Sequence, residues 1–204
     1  MTTREKILGT ALILFNNQGT DATTTRHIAN KMNISHGNLC YHFIRKEEII
    51  KELYGKLVTE LDEAINSITT AKVSISLLKQ SISQTFEIQI KYKFILMEFV
   101  KIMRLIPEVS SHFKTLYQKR IDQFLLIISL FEKEGYFLSE SYPKQYENLI
   151  KQFYIIGDFW ISEAEILFTG TEEQKVEYYS RLSLQFFYPY LTEKGQREIM
   201  PLFQ

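Results

Sequence analysis

The chain has 204 residues, 45% of them apolar and 24% charged, which is the composition of a folded globular protein rather than a disordered one. Acids and bases balance at 24 each, so the global basic excess of many nucleic-acid binders is excluded and any such footprint has to be local. The single cysteine, Cys40, rules out an intrachain disulfide, and without an apolar signal-type start or an 18-residue apolar run the expectation is a cytoplasmic protein with no membrane span.

A local footprint is present. Residues 1–50 carry six Lys/Arg (Arg4, Lys6, Arg26, Lys31, Arg45, Lys46) against four acids, and three of the four histidines. In chain order, a first helix is expected over about 3–18, where Ile7, Ala11, Leu14 and Phe15 recur at helical spacing and Gly19 provides a stop. Thr24 can cap a second short helix over 25–32 through its hydroxyl. Ile28, Ala29 and Met32 form its inward face, with Ala29 small where two helices cross. Asn33 falls at a sharp turn and tolerates the left-handed conformation. Ser35 then caps a third helix, to about Phe43, anchored inward by Leu39 and Phe43. A fourth helix starts near Lys46 with the apolar stripe Ile49, Ile50, Leu53, Leu57 and Leu61. Longer helices are expected near 74–91, 93–105, 108–134, 144–168 and 172–190, and a short one after Thr192, punctuated by Pro107, Gly135, Pro143 and Gly170. The fold expected is all-α, with residues 1–48 as a small N-terminal domain and 49–204 as a larger helical bundle.

The segment from Thr24 to Glu48 carries the chemistry. Its inward set leaves His36, Gly37, Asn38, Tyr41 and His42 on the outer side or at the start of the third helix. Glycine there costs about 1 kcal/mol relative to alanine, which suits a site where the backbone must approach another molecule closely. DNA phosphates are held by hydroxyls and helix N-termini, and base edges are read by planar polar side chains in the major groove. The run Thr24-Thr25-x-x-Ile28-Ala29, then Ile34-Ser35-x-Gly37-x-Leu39-x-Tyr41-His42-Phe43, then Lys46-Glu47, resembles the helix-turn-helix of the TetR/AcrR family of bacterial regulators, and Phe15-x-x-x-Gly19 matches as well. The resemblance covers roughly residues 4–55. Asn33 stands where the family usually has a turn glycine, and Cys40 where an aromatic is common.

The resemblance implies DNA contacts from Thr24, Thr25, Arg26, Ser35, His36, Gly37, Asn38, Tyr41, His42 and Lys46, with Thr24, Thr25 and Lys46 on phosphates. It implies a homodimer on a near-palindromic operator and a small-molecule effector, with repression relieved by that effector as the default and activation or corepression as the alternatives. Phe86, Phe94, Met97, Met103, Phe124, Phe153, Gly157 and Trp160 are the candidate pocket lining, although the same aromatic positions also suit an ordinary core. Phe153, Ile156, Trp160 and Ala164 on one late helix, and Tyr178, Leu182 and Phe186 on the next, are the candidate dimer face. The alternative is a helical small-molecule-binding or protein-interaction module without DNA activity. His36 and Cys40 share a helix face at i, i+4, but no further ligand pair accompanies them, so no metal is expected. Nucleophile elbows, phosphate loops, His-Glu-x-x-His pairs and dinucleotide fingerprints are missing, so neither an enzyme nor a cofactor is expected.

Overall fold

The computed structural model describes residues 1–203, and among these all side chains but those of residues 69 and 70. Eleven α-helices follow one another among the described residues: α1 (Thr3–Ala22), α2 (Thr25–Lys31), α3 (His36–His42), α4 (Lys46–Thr70), α5 (Ile75–Lys91), α6 (Lys93–Met97), α7 (Phe99–Leu105), α8 (Pro107–Lys133), α9 (Gln145–Leu167), α10 (Glu172–Gln185) and α11 (Glu193–Ile199). The all-α expectation holds. Local chemistry explains most of the starts. Thr2, Thr24 and Thr171 each close a capping box, the hydroxyl accepting from the backbone N–H three residues on, and Ser35 and Thr192 cap α3 and α11 by the same hydroxyl contact.

Three departures from the expected boundaries have physical causes. Regular helix is interrupted at Gly19 (φ 76°, ψ 170°), after which one more turn runs to Ala22. The expected 93–105 helix is two, α6 and α7, broken at Glu98 (φ −104°, ψ 22°). No glycine or proline marks that break, so its cause is tertiary. The expected 172–190 helix stops at Gln185, and Pro189 sits in a separate 3-10 turn over Tyr188–Tyr190. Proline has no N–H to continue the helical ladder and pushes its predecessor away from helical geometry.

The chain divides into two compact units, one comprising 1–59 and 91–113, the other 60–90 and 114–204. In the first, Ile7, Ala11, Phe15, Ile28, Ala29, Leu39, Phe43, Ile49 and Ile50 form an apolar core that also takes in Phe94 and Ile102. The Phe15 and Phe94 rings lie 5.1 Å apart. Asn16 ties the same elements by polar contacts, donating to the Lys91 carbonyl (2.9 Å) and accepting from the Phe94 N–H (3.1 Å). In the second, Phe86, Phe131, Leu149, Trp160, Ile161, Ala164, Leu184, Leu191 and Ile199 are buried. Trp160 stacks at 4.5 Å on Phe86 and donates its indole N–H to Gln89 (2.6 Å), whose amide donates in turn to the Gly157 carbonyl (3.1 Å). A buried indole therefore keeps its hydrogen bond, as a well-ordered core requires. No helix among the described residues is long and apolar enough to cross a membrane.

Candidate nucleic-acid interface

Backbone hydrogen bonds build the turn between α2 and α3. The Met32 N–H reaches the Ile28 and Ala29 carbonyls (3.1 and 3.2 Å), Asn33 reaches Asn30 (3.1 Å), and Ile34 returns to Ala29 (3.1 Å). Asn33 supplies the left-handed residue this path needs (φ 54°), one of two non-glycine residues with positive φ among those described. Ile28, Ala29, Leu39 and Phe43 are buried beneath. Arg4 locks the end of α3 from the other side, its guanidinium paired with Glu52 and stacked 4.7 Å over the Phe43 ring.

The predicted contact residues gather on the opposite face. Thr24, Arg26, Ser35, His36, Gly37 and Asn38 are exposed, Thr25, His42 and Lys46 are half-buried, and Tyr41 is 86% exposed. Thr25 and His36 meet at 3.0 Å between Oγ1 and Nε2, a side-chain link that fixes α2 against the start of α3. Cys40 Sγ stands 3.4 Å from the same nitrogen, and among the described residues no group of three or more potential ligands could hold a metal ion. Lys46 donates to the Thr20 carbonyl, which leaves two of its three ammonium protons to point elsewhere.

Gly37 is informative because nothing in the protein requires it. A methyl group added there would meet no atom within 4 Å, and its backbone is helical. The helix carries a glycine that intramolecular packing does not need, which leaves the backbone there open to close approach. Gly37→Ala is expected to raise stability by about 0.5–1 kcal/mol and to weaken DNA binding about tenfold. Paired thermal melts and fluorescence anisotropy check both, and an alanine variant with unchanged affinity would rule the close approach out.

A brace that sequence reasoning missed lies behind this surface. The Glu98 carboxylate accepts from the Thr20 N–H (2.7 Å), from the Thr20 hydroxyl and from Lys101 (2.9 Å), and Lys101 also pairs with Asp21 (2.6 Å). Burial pushes the Glu98 carboxyl up, but the hydrogen bonds from Thr20 and Lys101 outweigh it and hold the group below the usual range, as a carboxylate. This set explains the break between α6 and α7, because bending the backbone at Glu98 delivers its side chain to the end of α1. The only signal in the sequence was Gly19, where a side chain would meet Glu98 Oε1 at 2.9 Å.

The other predicted residues fall in different places. Phe94, Met97 and Met103 belong to the first unit, Phe94 buried, Met103 half-buried and Met97 47% exposed. Phe86, Phe124, Phe153, Gly157 and Trp160 belong to the second. Of the residues placed on a dimer face, Trp160 and Ala164 are buried in their own unit and so are not available on its surface, while Phe153, Ile156 and Phe186 are half-buried. Tyr178 and Leu182 are exposed. The exposed apolar stripe of α9 is one register over, at Ile155, Phe159 and Ile166. Helical spacing alone did not distinguish the two stripes, because both are apolar.

A capped two-helix turn with a polar outer face, on an all-α chain with a second helical body, defines a helix-turn-helix DNA-binding regulator. Residues 7–53 match the family model described as bacterial regulatory proteins of the tetR family, and residues 56–199 that described as bacterial transcriptional repressor, TetR. The chain belongs to the TetR family of transcriptional regulators. It is 28% identical to the HTH-type transcriptional regulator YttP of Bacillus subtilis over 151 residues, 70% of this chain and 71% of that one. A TetR-family regulator from Marinobacter aquaeolei superposes with a TM-score of 0.89 at 21% identity, covering 100% of this chain and 98% of the other. A transcriptional regulator from Saccharomonospora viridis, solved in complex with choline, superposes with a TM-score of 0.70 at 16% identity over 93% of this chain and 98% of its own.

Proposed function

We propose that the chain is a cytoplasmic, homodimeric repressor that leaves a near-palindromic operator when a small molecule binds it. Residues 1–48 form the DNA-reading part in this proposal, and 49–204 the ligand-binding and dimerising part. The observation that carries it is the outer face of α2 and α3, which is polar, hydroxyl-bearing and uninvolved in the core. Thr24, Thr25, Arg26 and Lys46 reach phosphates. His36, Asn38 and Tyr41 read base edges, and Ser35, Gly37 and His42 bring the backbone of α3 against the groove. Two copies place their α3 helices in successive major grooves about 34 Å apart.

The second copy packs across α9 and α10. Ile155 (65% exposed), Ile166 (81%), Tyr178 (43%) and Leu182 (49%) support this, since apolar side chains repeated at helical spacing on two consecutive helices make a face that water solvates poorly. The effector acts by binding one state of the dimer more tightly, which shifts the population of DNA-competent heads. The choline bound to the S. viridis regulator supports a small-molecule effector for a protein of this fold.

The test uses the full chain and DNA from upstream of its own gene. The parent should sediment as a dimer and bind with steep salt dependence. Tyr41→Ala should lose about tenfold or more in affinity with an unchanged circular dichroism spectrum, because Tyr41 is exposed and its ring meets only that of its chain neighbour His42. Ile155→Glu should sediment as a monomer and lose DNA binding with it. A parent that is strictly monomeric and ignores the fragment would favour the module without DNA activity.

A further inference from the structure

The inward face of α9 is sealed at both ends and open in the middle. Tyr146, Leu149 and Ile150 are buried at one end, and Trp160, Ile161 and Ala164 at the other. Between them Tyr154, Gly157 and Asp158, at i, i+3 and i+4, are only half-buried. A methyl group added to Gly157 would meet no atom within 4 Å, so this stretch of the face has room beside it.

Aromatic rings border that room. The Tyr154 ring lies 4.9 Å from Tyr117 and 6.1 Å from Phe124, both on α8. The nearby cation is already committed: Arg120, with its side chain 4% exposed, is paired with Asp62 and donates to Gln123 (3.3 Å). Asp158 has no hydrogen-bond or ion-pair partner among the described residues, and burial pushes its carboxyl up to about 7. The cluster therefore contains one matched pair and one unmatched acid. A partly desolvated acid without a counter-charge is costly, and a bound cation would remove the cost.

We infer that the second unit takes an organic cation, with its positive charge against Asp158 and its apolar body against the rings of Tyr117, Phe124 and Tyr154. This rests on the reading of the chain as a ligand-responsive regulator and names the chemical class of the effector. A ring face and a carboxylate together select a cation with apolar substituents over a hydrated metal ion, since aromatic faces attract cations most strongly when water is excluded.

The probes are tetraphenylphosphonium and benzyltrimethylammonium, with triphenylphosphine oxide as the uncharged control, titrated calorimetrically into the full chain. Both cations should bind with a Kd below about 1 mM, and the oxide about tenfold or more weaker than tetraphenylphosphonium. Asp158→Asn should cost the cations about tenfold and leave the oxide unchanged. Tyr154→Phe, which keeps the ring, should retain cation binding, whereas Tyr154→Leu should lose it. A second readout needs no ligand. The folded Asp158 holds its proton to about pH 7, while an unfolded aspartate releases it near pH ~4, so the parent loses stability as pH rises through that window. Asp158→Asn should remove this loss and melt higher than the parent at pH 8, with the gap closing at pH 4. The other charged or titratable groups around the rings are Tyr117, Tyr154, Asp62 and the paired Arg120, and none is altered by that substitution.

Cations that bind no better than the oxide, that fail to bind at all, or that bind Asp158→Asn as tightly as the parent would overturn the inference. Operator binding without any ligand separates the two ideas. A chain that binds its upstream DNA but no cation refutes the effector class alone, and one that binds cations but no DNA refutes the regulator alone.

Discussion

Gly19→Ala is expected to destabilise the first unit by about 2–4 kcal/mol and to lower its melting midpoint by roughly 5–10 °C. Two costs add. The backbone at Gly19 (φ 76°, ψ 170°) lies in a region that residues with a Cβ rarely adopt. The new methyl would also stand 2.9 Å from Glu98 Oε1, and that carboxylate cannot yield cheaply because Thr20 and Lys101 hold it. Gly9→Ala is the control. Gly9 lies in the regular part of α1 and its added Cβ would meet only Met1 Cε at 3.9 Å, an ordinary contact. That variant should be neutral or gain up to about 1 kcal/mol. Equal melting of the two variants would show that the brace does not constrain Gly19.

Arg120→Met should cost the second unit about 2 kcal/mol, below the roughly 3–5 kcal/mol that removing one member of a fully buried ion pair costs. The Arg120 side chain is 4% exposed and Asp62 is 33% exposed, so the stranded carboxylate regains some water and the loss is moderated. Replacing both members, Arg120→Met with Asp62→Leu, should recover most of the stability, because the expense lies in the unpaired charge rather than in the missing bridge. Chemical denaturation of the two single variants and the double closes the cycle. A double variant as unstable as the sum of the singles would mean the two groups are not coupled.

What could be read in advance divides by the range of the interactions. Thr24, Asn33 and Ser35 act within three or four residues of themselves, so the caps and the turn of the DNA-binding motif were legible in the sequence, as were Ile28, Leu39 and Phe43 as its inward anchors. Glu98 was not, because its partner Thr20 is far away in the chain and a lone acid inside an apolar helix looks like a solvent-facing residue. Arg120 and Asp62 were hidden for the same reason. On α9 the difficulty was different: apolar residues occupy so much of its circumference that periodicity could not separate the core stripe through Trp160 and Ala164 from the exposed stripe through Ile155 and Ile166. Nothing in the sequence separates Asp158 from Glu163 and Glu165 on the same helix, and its lack of a counter-charge is visible only once Arg120 is seen to be paired with Asp62.

On the proposed dimer, the stripe along α9 and α10 also ties the protein's folding to how much of it is present. With a second copy over Ile155, Ile166, Tyr178 and Leu182, the folded state is held by mass action, and its apparent melting temperature should climb with total concentration. Each tenfold dilution would forfeit about 1.4 kcal/mol of assembly free energy. In that dimer, a newly made chain would carry uncovered apolar surface until it met another.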